Sequence, residues 1–462
     1  MECAALVDPR PQRRDPVDGP RIGPTAFPTQ PAHSRWCRPH PSPGGDKPVS
    51  TAPSPRKLHT RFDIFAWYES VRASGRPVAW CSAFAPAEVL LACGVIPVYP
   101  ENHAAMLGAL SPTRDPANPW SGDAISAAEA AGHLGPKLCS YAQADIGVLL
   151  GAGSPIAGLP PPDLFYSCDS QCSVVARWGD AVAGIEAGQG RDIPHYLLQA
   201  VPLRSDAYVP GQLSGFRAQL RQHVDDICAR FGTRFDEAYF AKIVAMSDTA
   251  NRLWQDCLEL ARQKPSPWTN TDAFQAMAPI VIARGSELCI DYYRELHQEL
   301  TARVNSHSHA IANERIRLLW DAIPIWPRKN WLASTCAALD AAFVCSTYTH
   351  SWWFQFDLDQ PWESVTERYA WNTMNRSGAW VLDWTKDLVR DYQIDGIVCH
   401  WNRSCGIWNS YVKRRLPGYR DAGIPHLVIE ADMVDPRAFD EARISNQLQE
   451  FIGQLGSRPC PA

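Results

Sequence analysis

Two α/β domains built on parallel sheets, joined by a helical segment, are the fold that this sequence predicts, and three observations carry the prediction. Short apolar runs alternate with helical stretches after Phe62 and again after about residue 326, the pattern of βα units on a parallel sheet. The span between, 212–325, has long helical periods and few strand signals. Three cysteines, Cys139, Cys168 and Cys405, stand at the ends of apolar runs although 266 positions separate the first from the last, so only a folded arrangement of the two domains brings them together.

The 462 residues exceed one ordinary core and fit two or three domains. With 45% hydrophobic and 20% charged residues and a formal charge of −5, the chain is ordinary globular protein with no basic footprint for nucleic acid. Its fifteen cysteines have neither the repeat nor the short secreted context of a disulfide framework, which favours reduced thiols in the cytoplasm. No apolar run approaches the ~18 residues of a membrane-spanning helix.

Residues 1–57 hold 13 of the 39 prolines and few aliphatic side chains, too little apolar surface to offset the entropy of ordering; this segment is expected to be disordered. The first α/β domain is read over 58–211. In it Pro77–Cys81 is a buried strand, Pro86–Cys93 a helix with proline in its first turn, and Gly94–Tyr99 a second strand. Asp145–Leu150 is helical and Leu164–Tyr166 is another strand. The helical region, 212–325, contains the periodic stretches Phe235–Leu260 and Ala273–Val304. The second α/β domain, 326–462, opens on the apolar run from Trp331 to Val344. It continues with a helix over Trp371–Tyr392, buried strands at Ile394–His400 and Pro425–Glu430, and a closing amphipathic helix at Ser445–Leu455.

Ligands in open parallel sheets collect beyond the carboxyl ends of the strands. Cys168 directly follows the run Asp163–Ser167, and Cys405 follows the Ile394–Cys399 strand by a short loop. Cys139 precedes a helix whose N-terminus favours a thiolate. Three thiolates suit an iron–sulfur cluster with one iron open to substrate, or zinc with a water. Cys81, Cys93 and Cys399 lie within apolar runs and read as packed core. Cys172 is four residues beyond Cys168 and is read as supporting or core. Gly151-Ala-Gly153 lacks the spacing and the following helix of a dinucleotide loop, and no phosphate loop occurs, so ATP hydrolysis is not expected of this chain.

Several motifs together resemble a known family. Ala85-Pro86-Ala87-Glu88-Val89-Leu90 with Ala92-Cys93-Gly94-Val95-Ile96-Pro97, then Leu138-Cys139-Ser140-Tyr141 and Ser167-Cys168-Asp169-Ser170, are similar to the benzoyl-CoA reductase and 2-hydroxyacyl-CoA dehydratase family. Asp395-Gly396-Ile397-Val398 leading to Ser404-Cys405, and Gly423-Ile424-Pro425 through Glu430-Ala431-Asp432, continue the resemblance over roughly residues 62–456. The D-component-like subunits of 2-hydroxyglutaryl-CoA dehydratases are the form it most resembles.

The resemblance implies two flavodoxin-like domains with an iron–sulfur site between them, a [4Fe–4S] cluster held by Cys139, Cys168 and Cys405, and Ser140 and Ser170 beside the cluster sulfurs. It makes Glu88 the candidate acid–base residue and Ser82 a candidate hydrogen-bond donor to a thioester oxygen. Lys413, Arg414 and Arg415 are candidates for the phosphates of coenzyme A. The implied activity is elimination of water from a 2-hydroxyacyl-CoA through a ketyl radical. Aromatic acyl-CoA reduction, a double-cubane reductase, or a non-catalytic subunit of such a heterodimer are the alternatives. The implied partners are a paralogous second subunit, a separate ATP-dependent iron–sulfur activator and the acyl-CoA substrate.

Overall fold

The computed structural model describes residues 55–113, 119–132, 139–156, 158–201 and 210–457. The first α/β unit runs α1 (Ile64–Ala73), β1 (Val78–Cys81), α2 (Ala87–Ala92), β2 (Ile96–Val98), α3 (Pro100–Leu110), α4 (Trp120–Ala131), α5 (Ser140–Leu149), β3 (Leu164–Cys168), α6 (Val174–Gly188) and β4 (His195–Leu198). Helices α7 (Pro210–Phe231), α8 (Glu237–Glu259), α9 (Asn270–Ala276), α10 (Ala278–Ile282) and α11 (Glu287–Asn305) follow. The second unit comprises β5 (Ile316–Asp321), α12 (Lys329–Ala337), β6 (Ala341–Ser346), α13 (Thr347–His350), α14 (Pro361–Ala370) and α15 (Gly378–Asp391). It closes with β7 (Gly396–Asn402), α16 (Gly406–Asp421), β8 (His426–Ala431) and α17 (Glu441–Gly456).

Each unit is a four-stranded parallel sheet, β2-β1-β3-β4 in the first and β6-β5-β7-β8 in the second. Both follow the order that flavodoxin-like sheets use, in which the chain reverses its direction of winding beside the first strand. Strands β1, β3, β5 and β6 are buried along their whole length, and β7 along all of it but Trp401, as parallel strands covered by helices on both faces are.

Two features of the middle of the chain differ from the sequence reading. The Ala273–Val304 period breaks into three helices. Gly285 turns the chain at φ +78°, where a side chain would collide with Ile243, and Ser286 then caps α11 by accepting from the Cys289 N–H. The span 212–325 also contains β5, the strand at the centre of the second sheet. Arg317 and Asp321 disguise it, because a charge at a buried position argues against a core strand. Both charges are satisfied inside. Arg317 pairs with Glu314 and donates to the carbonyls of Tyr392, Gln263 and Ala261, while Asp321 pairs with Arg415 and accepts from Thr347.

Most of the segment expected to be disordered lies outside the described residues, but its last residues are packed. The Arg56 N–H donates to the Ala310 carbonyl at 2.7 Å, and Arg303 donates to the Lys57 carbonyl. Among the described residues no helix is long and apolar enough to cross a membrane.

Candidate cluster and substrate site

The carboxyl ends of both sheets face one cavity. From the first sheet, Ala83 and Phe84 follow β1, Glu101 follows β2, and Gln171 and Cys172 follow β3; from the second, Ile323, Tyr348, Cys405 and Met433 follow β5, β6, β7 and β8. Cys139 completes the lining from the turn before α5. The cavity between these walls is small, about 60 Å³.

Three thiols line this cavity: Cys139, Cys172 and Cys405. Each stands where a helix begins. Cys139 and Cys405 are the residues before the first turns of α5 and α16, and Cys172 is two residues before α6. Backbone N–H groups therefore turn toward each sulfur: Ala142 toward Cys139, Val174 and Val175 toward Cys172, Trp408 and Ile407 toward Cys405. Helix N-termini favour negative charge, yet burial outweighs them. It pushes the Cys172 thiol up to about 11 and that of Cys405 to about 12, and raises Cys139 as well. The three sulfurs also repel one another as anions, Cys139 with Cys405 and Cys172, and Cys405 with Cys172.

Cys168 is not with them. It is the last residue of β3, paired in register with Leu198, fully buried, with its sulfur 3.0 Å from the Ser170 hydroxyl. The strand directs that side chain into packed interior, whereas the turn after it carries Cys172 into the cavity. Burial holds the Cys168 thiol up at about 12. Ser82 also leaves the site: its oxygen accepts from the Cys168 N–H at 3.0 Å, closing the end of the sheet. Ser170 donates to the Tyr369 carbonyl at 2.8 Å.

Ser140 has a different task from the one expected. Its hydroxyl donates to Asp432 Oδ1 at 2.6 Å, and Ser404 donates to Asp432 Oδ2 at 2.5 Å. Asp432 also accepts from the N–H groups of Val434 and Asp435, both at 3.0 Å. One buried carboxylate thus ties the residue after Cys139, in the first unit, to the residue before Cys405, in the second.

Glu88, expected as an acid–base residue, is sealed away from the cavity. It accepts from Ser247 and Tyr369, each at 2.6 Å, and lies 3.7 Å from Arg284. This buried ion pair joins α2, α8 and the segment after α10 to α14. The carboxyl group that does reach the site is Glu101, in the first turn of α3. Its Oε1 accepts from the Ala83 N–H at 2.9 Å and from Gln171 at 2.8 Å. Burial raises its pKa, against the pull of those two hydrogen bonds.

A second, larger cavity adjoins the first, with Ala83, Glu101, Tyr348 and Trp352 lining both. Its walls are mostly apolar, from Phe62, Met106, Phe274 and Met277 among others. Its far end meets a polar mouth, shared at Phe62, Gln275 and Asn330, where Lys57 and Arg61 are exposed. Lys329, beside Asn330, is drawn down to about 8, chiefly by burial and further by Arg61 and Lys57, with Asp272 opposing. The basic run at 413–415 is not part of this route. Arg415 is fully buried against Asp321, and Lys413 and Arg414 are exposed on α16.

The donor set suits an iron–sulfur cluster. Among the described residues no three His, Cys, Asp or Glu side chains close on a single ion; the thiols face one another across a cavity, and N–H dipoles surround them in an apolar wall. Sequence reasoning sets Cys172 aside because the three-ligand set implied by the resemblance is complete without it; in the structure residues 169–173 form turns and bends that bring Cys172, not Cys168, to the cavity. The signal that distinguishes Cys172 is shared with Cys139 and Cys405: a cysteine at the entry to a helix. Glu101 escapes for the plainer reason that a proline-led helix start with an acid is ordinary capping chemistry.

Removing the Asp432 carboxylate leaves two hydroxyls and two N–H groups without an acceptor in a buried place. Asp432→Ala is expected to cost about 3 kcal/mol or more, and Ser404→Ala about 1 kcal/mol. Chemical denaturation of both variants checks this; equal midpoints for Asp432→Ala and the parent protein would contradict the clamp.

Comparison with known proteins agrees with this architecture. Residues 82–455 match the family described as 2-hydroxyglutaryl-CoA dehydratase, D-component. The (R)-2-hydroxyisocaproyl-CoA dehydratase alpha subunit of Clostridioides difficile is 26% identical over 84% of this chain and 92% of its own length. The lactoyl-CoA dehydratase alpha subunit of Anaerotignum propionicum is 25% identical over 85% of this chain and 93% of its own. A benzoyl-CoA reductase polypeptide of Thauera aromatica is 25% identical over 73% and 81% respectively. With the family match spanning most of its length, this chain belongs to the 2-hydroxyglutaryl-CoA dehydratase D-component family.

Proposed function

We propose that this chain is the iron–sulfur subunit of a 2-hydroxyacyl-CoA dehydratase, with Cys139, Cys172 and Cys405 as the ligands of a [4Fe–4S] cluster. The observation that supports this most strongly is the meeting of three thiols, each at a helix entry, on one cavity between two parallel sheets. When bound, such a cluster supplies a Lewis acid for a substrate oxygen and the one-electron chemistry on which radical loss of water depends.

The chain's own residues supply the rest. The N–H and hydroxyl contacts around Asp432, Glu101 and the helix entries are fixed before substrate arrives, so the site is preorganised. The apolar outer cavity takes the long thioester arm, and Lys57 and Arg61 meet the phosphates at the mouth, where an anion stays hydrated. Glu101 is the group that handles protons. Its carboxyl stands where the inner and outer cavities join, gives its proton to the departing hydroxyl, which leaves as water, and then regains a proton from the carbon adjacent to the one that bore the hydroxyl. Aromatic walls exclude bulk water from this exchange. The low-potential electron comes from a separate ATP-dependent activator and is given back once water has left, so that the reaction is redox-neutral overall; a paralogous second subunit completes the enzyme, which acts in the cytoplasm.

Two measurements test the reading. After anaerobic purification, Cys172→Ala is expected to lose iron as completely as Cys139→Ala or Cys405→Ala, while Cys168→Ala keeps it; iron retained by Cys172→Ala and lost from Cys168→Ala would restore the opposite ligand set. Glu101→Gln should keep its iron and lower turnover by roughly 100-fold or more, the usual contribution of a positioned acid–base group. Glu88→Gln is instead expected to lose thermal stability, with turnover per folded molecule preserved. Full activity in Glu101→Gln would remove it from the chemistry.

A further inference from the structure

We infer that the acyl group accepted by this site is uncharged and apolar beyond its second carbon, and that the site turns away thioesters whose acyl chain ends in a second carboxylate. The inference rests on the acyl-CoA reading above and narrows it. It comes from the charges that line the route from mouth to thiols.

Among the described residues, no lysine, arginine or histidine lines the inner cavity. Its walls are Phe84, Val175, Trp178, Trp352, Met374 and Trp408 with their apolar neighbours, and the ionisable groups on them are Glu101, two tyrosines and the three thiols. Every one of these that ionises becomes negative. A carboxylate brought here loses its water and gains no counter-charge, the situation that buried ions avoid.

The buried arginine behind this wall offers no relief. Arg284 lies behind Trp352, 5.9 Å from its ring centroid, and spends its N–H groups on Tyr369, on the carbonyls of Ile280, Val281 and Ala85, and on its ion pair with Glu88. It lines neither cavity. In the outer cavity the single cation among the described residues is Lys329, at the end that meets the mouth, beside Asn330 and in the field of Lys57 and Arg61. Positive charge is therefore confined to the end where the phosphates of coenzyme A enter, and the acyl end is apolar and lined by no cation. Selection works by leaving the wrong substrate's charge unpaired, a stronger discriminator than the size of an apolar pocket.

The test is calorimetric binding to the anaerobically purified full-length holoprotein, with thioesters that lack the 2-hydroxyl group and so do not turn over: 4-methylpentanoyl-CoA, 3-phenylpropanoyl-CoA and glutaryl-CoA. The two apolar thioesters are expected to bind at least 100-fold more tightly than glutaryl-CoA at neutral pH. Lowering the pH toward 5 should narrow the gap, as the free carboxyl of glutaryl-CoA approaches its ordinary titration range. Equal or tighter binding of glutaryl-CoA at neutral pH would overturn the inference and leave the acyl-CoA reading intact. Failure of all three to bind would overturn that reading and the inference with it.

Discussion

Asp432 is the residue on which the site's geometry depends. Cys139 and Cys405 belong to different α/β units, and nothing in the chain's local structure sets the distance between them. The carboxylate fixes that distance by accepting from Ser140 on one side and Ser404 on the other, with its own loop held through Val434 and Asp435. Glu88 does the comparable work farther out. Its contacts with Ser247, Tyr369 and Arg284 bind the first sheet's helices to the helical region and to the second unit. Two buried acids, one beside the thiols and one behind the wall, make a single body of three parts.

Within that body, parallel strands decide where chemistry can occur. The strands of both sheets run with their carboxyl ends toward the shared cavity, and the helices that follow begin there, so backbone N–H groups gather at the same place. Those dipoles do not suffice to ionise the thiols, because burial raises all three. A positively charged group between them is what would hold them as thiolates, and metal ligation is coupled to loss of their protons. The same burial raises Glu101, which therefore holds its proton more readily than an exposed glutamate would.

Much of this is legible in the sequence, and the failures have specific causes. Buried parallel strands announce themselves through their apolar runs, Leu164–Tyr166 in one sheet and Ile397–Cys399 in the other, and the Cys139 and Cys405 contexts can be read because each borders a clear element. The strand Ile316–Asp321 escapes notice since its two charges are cancelled by Glu314, Arg415 and backbone carbonyls, most of them distant in sequence. Sequence favours Cys168 over Cys172 because a strand end is easy to recognise, while the turn that lifts Cys172 into the cavity has no periodicity. Glu88 and Glu101 each open a helix after a proline or within its first turn, and only tertiary packing separates the one that is paired with arginine from the one that faces the cavity.

The account turns on which thiols hold iron, and diffraction from anaerobically grown crystals, recorded on both sides of the iron absorption edge, tests it most directly. The predicted result is an anomalous signal from about four irons in the cavity bounded by Cys139, Cys172 and Cys405, with Cys168 still turned toward Ser170. Iron bonded to Cys168, or no iron between the two sheets, would contradict it.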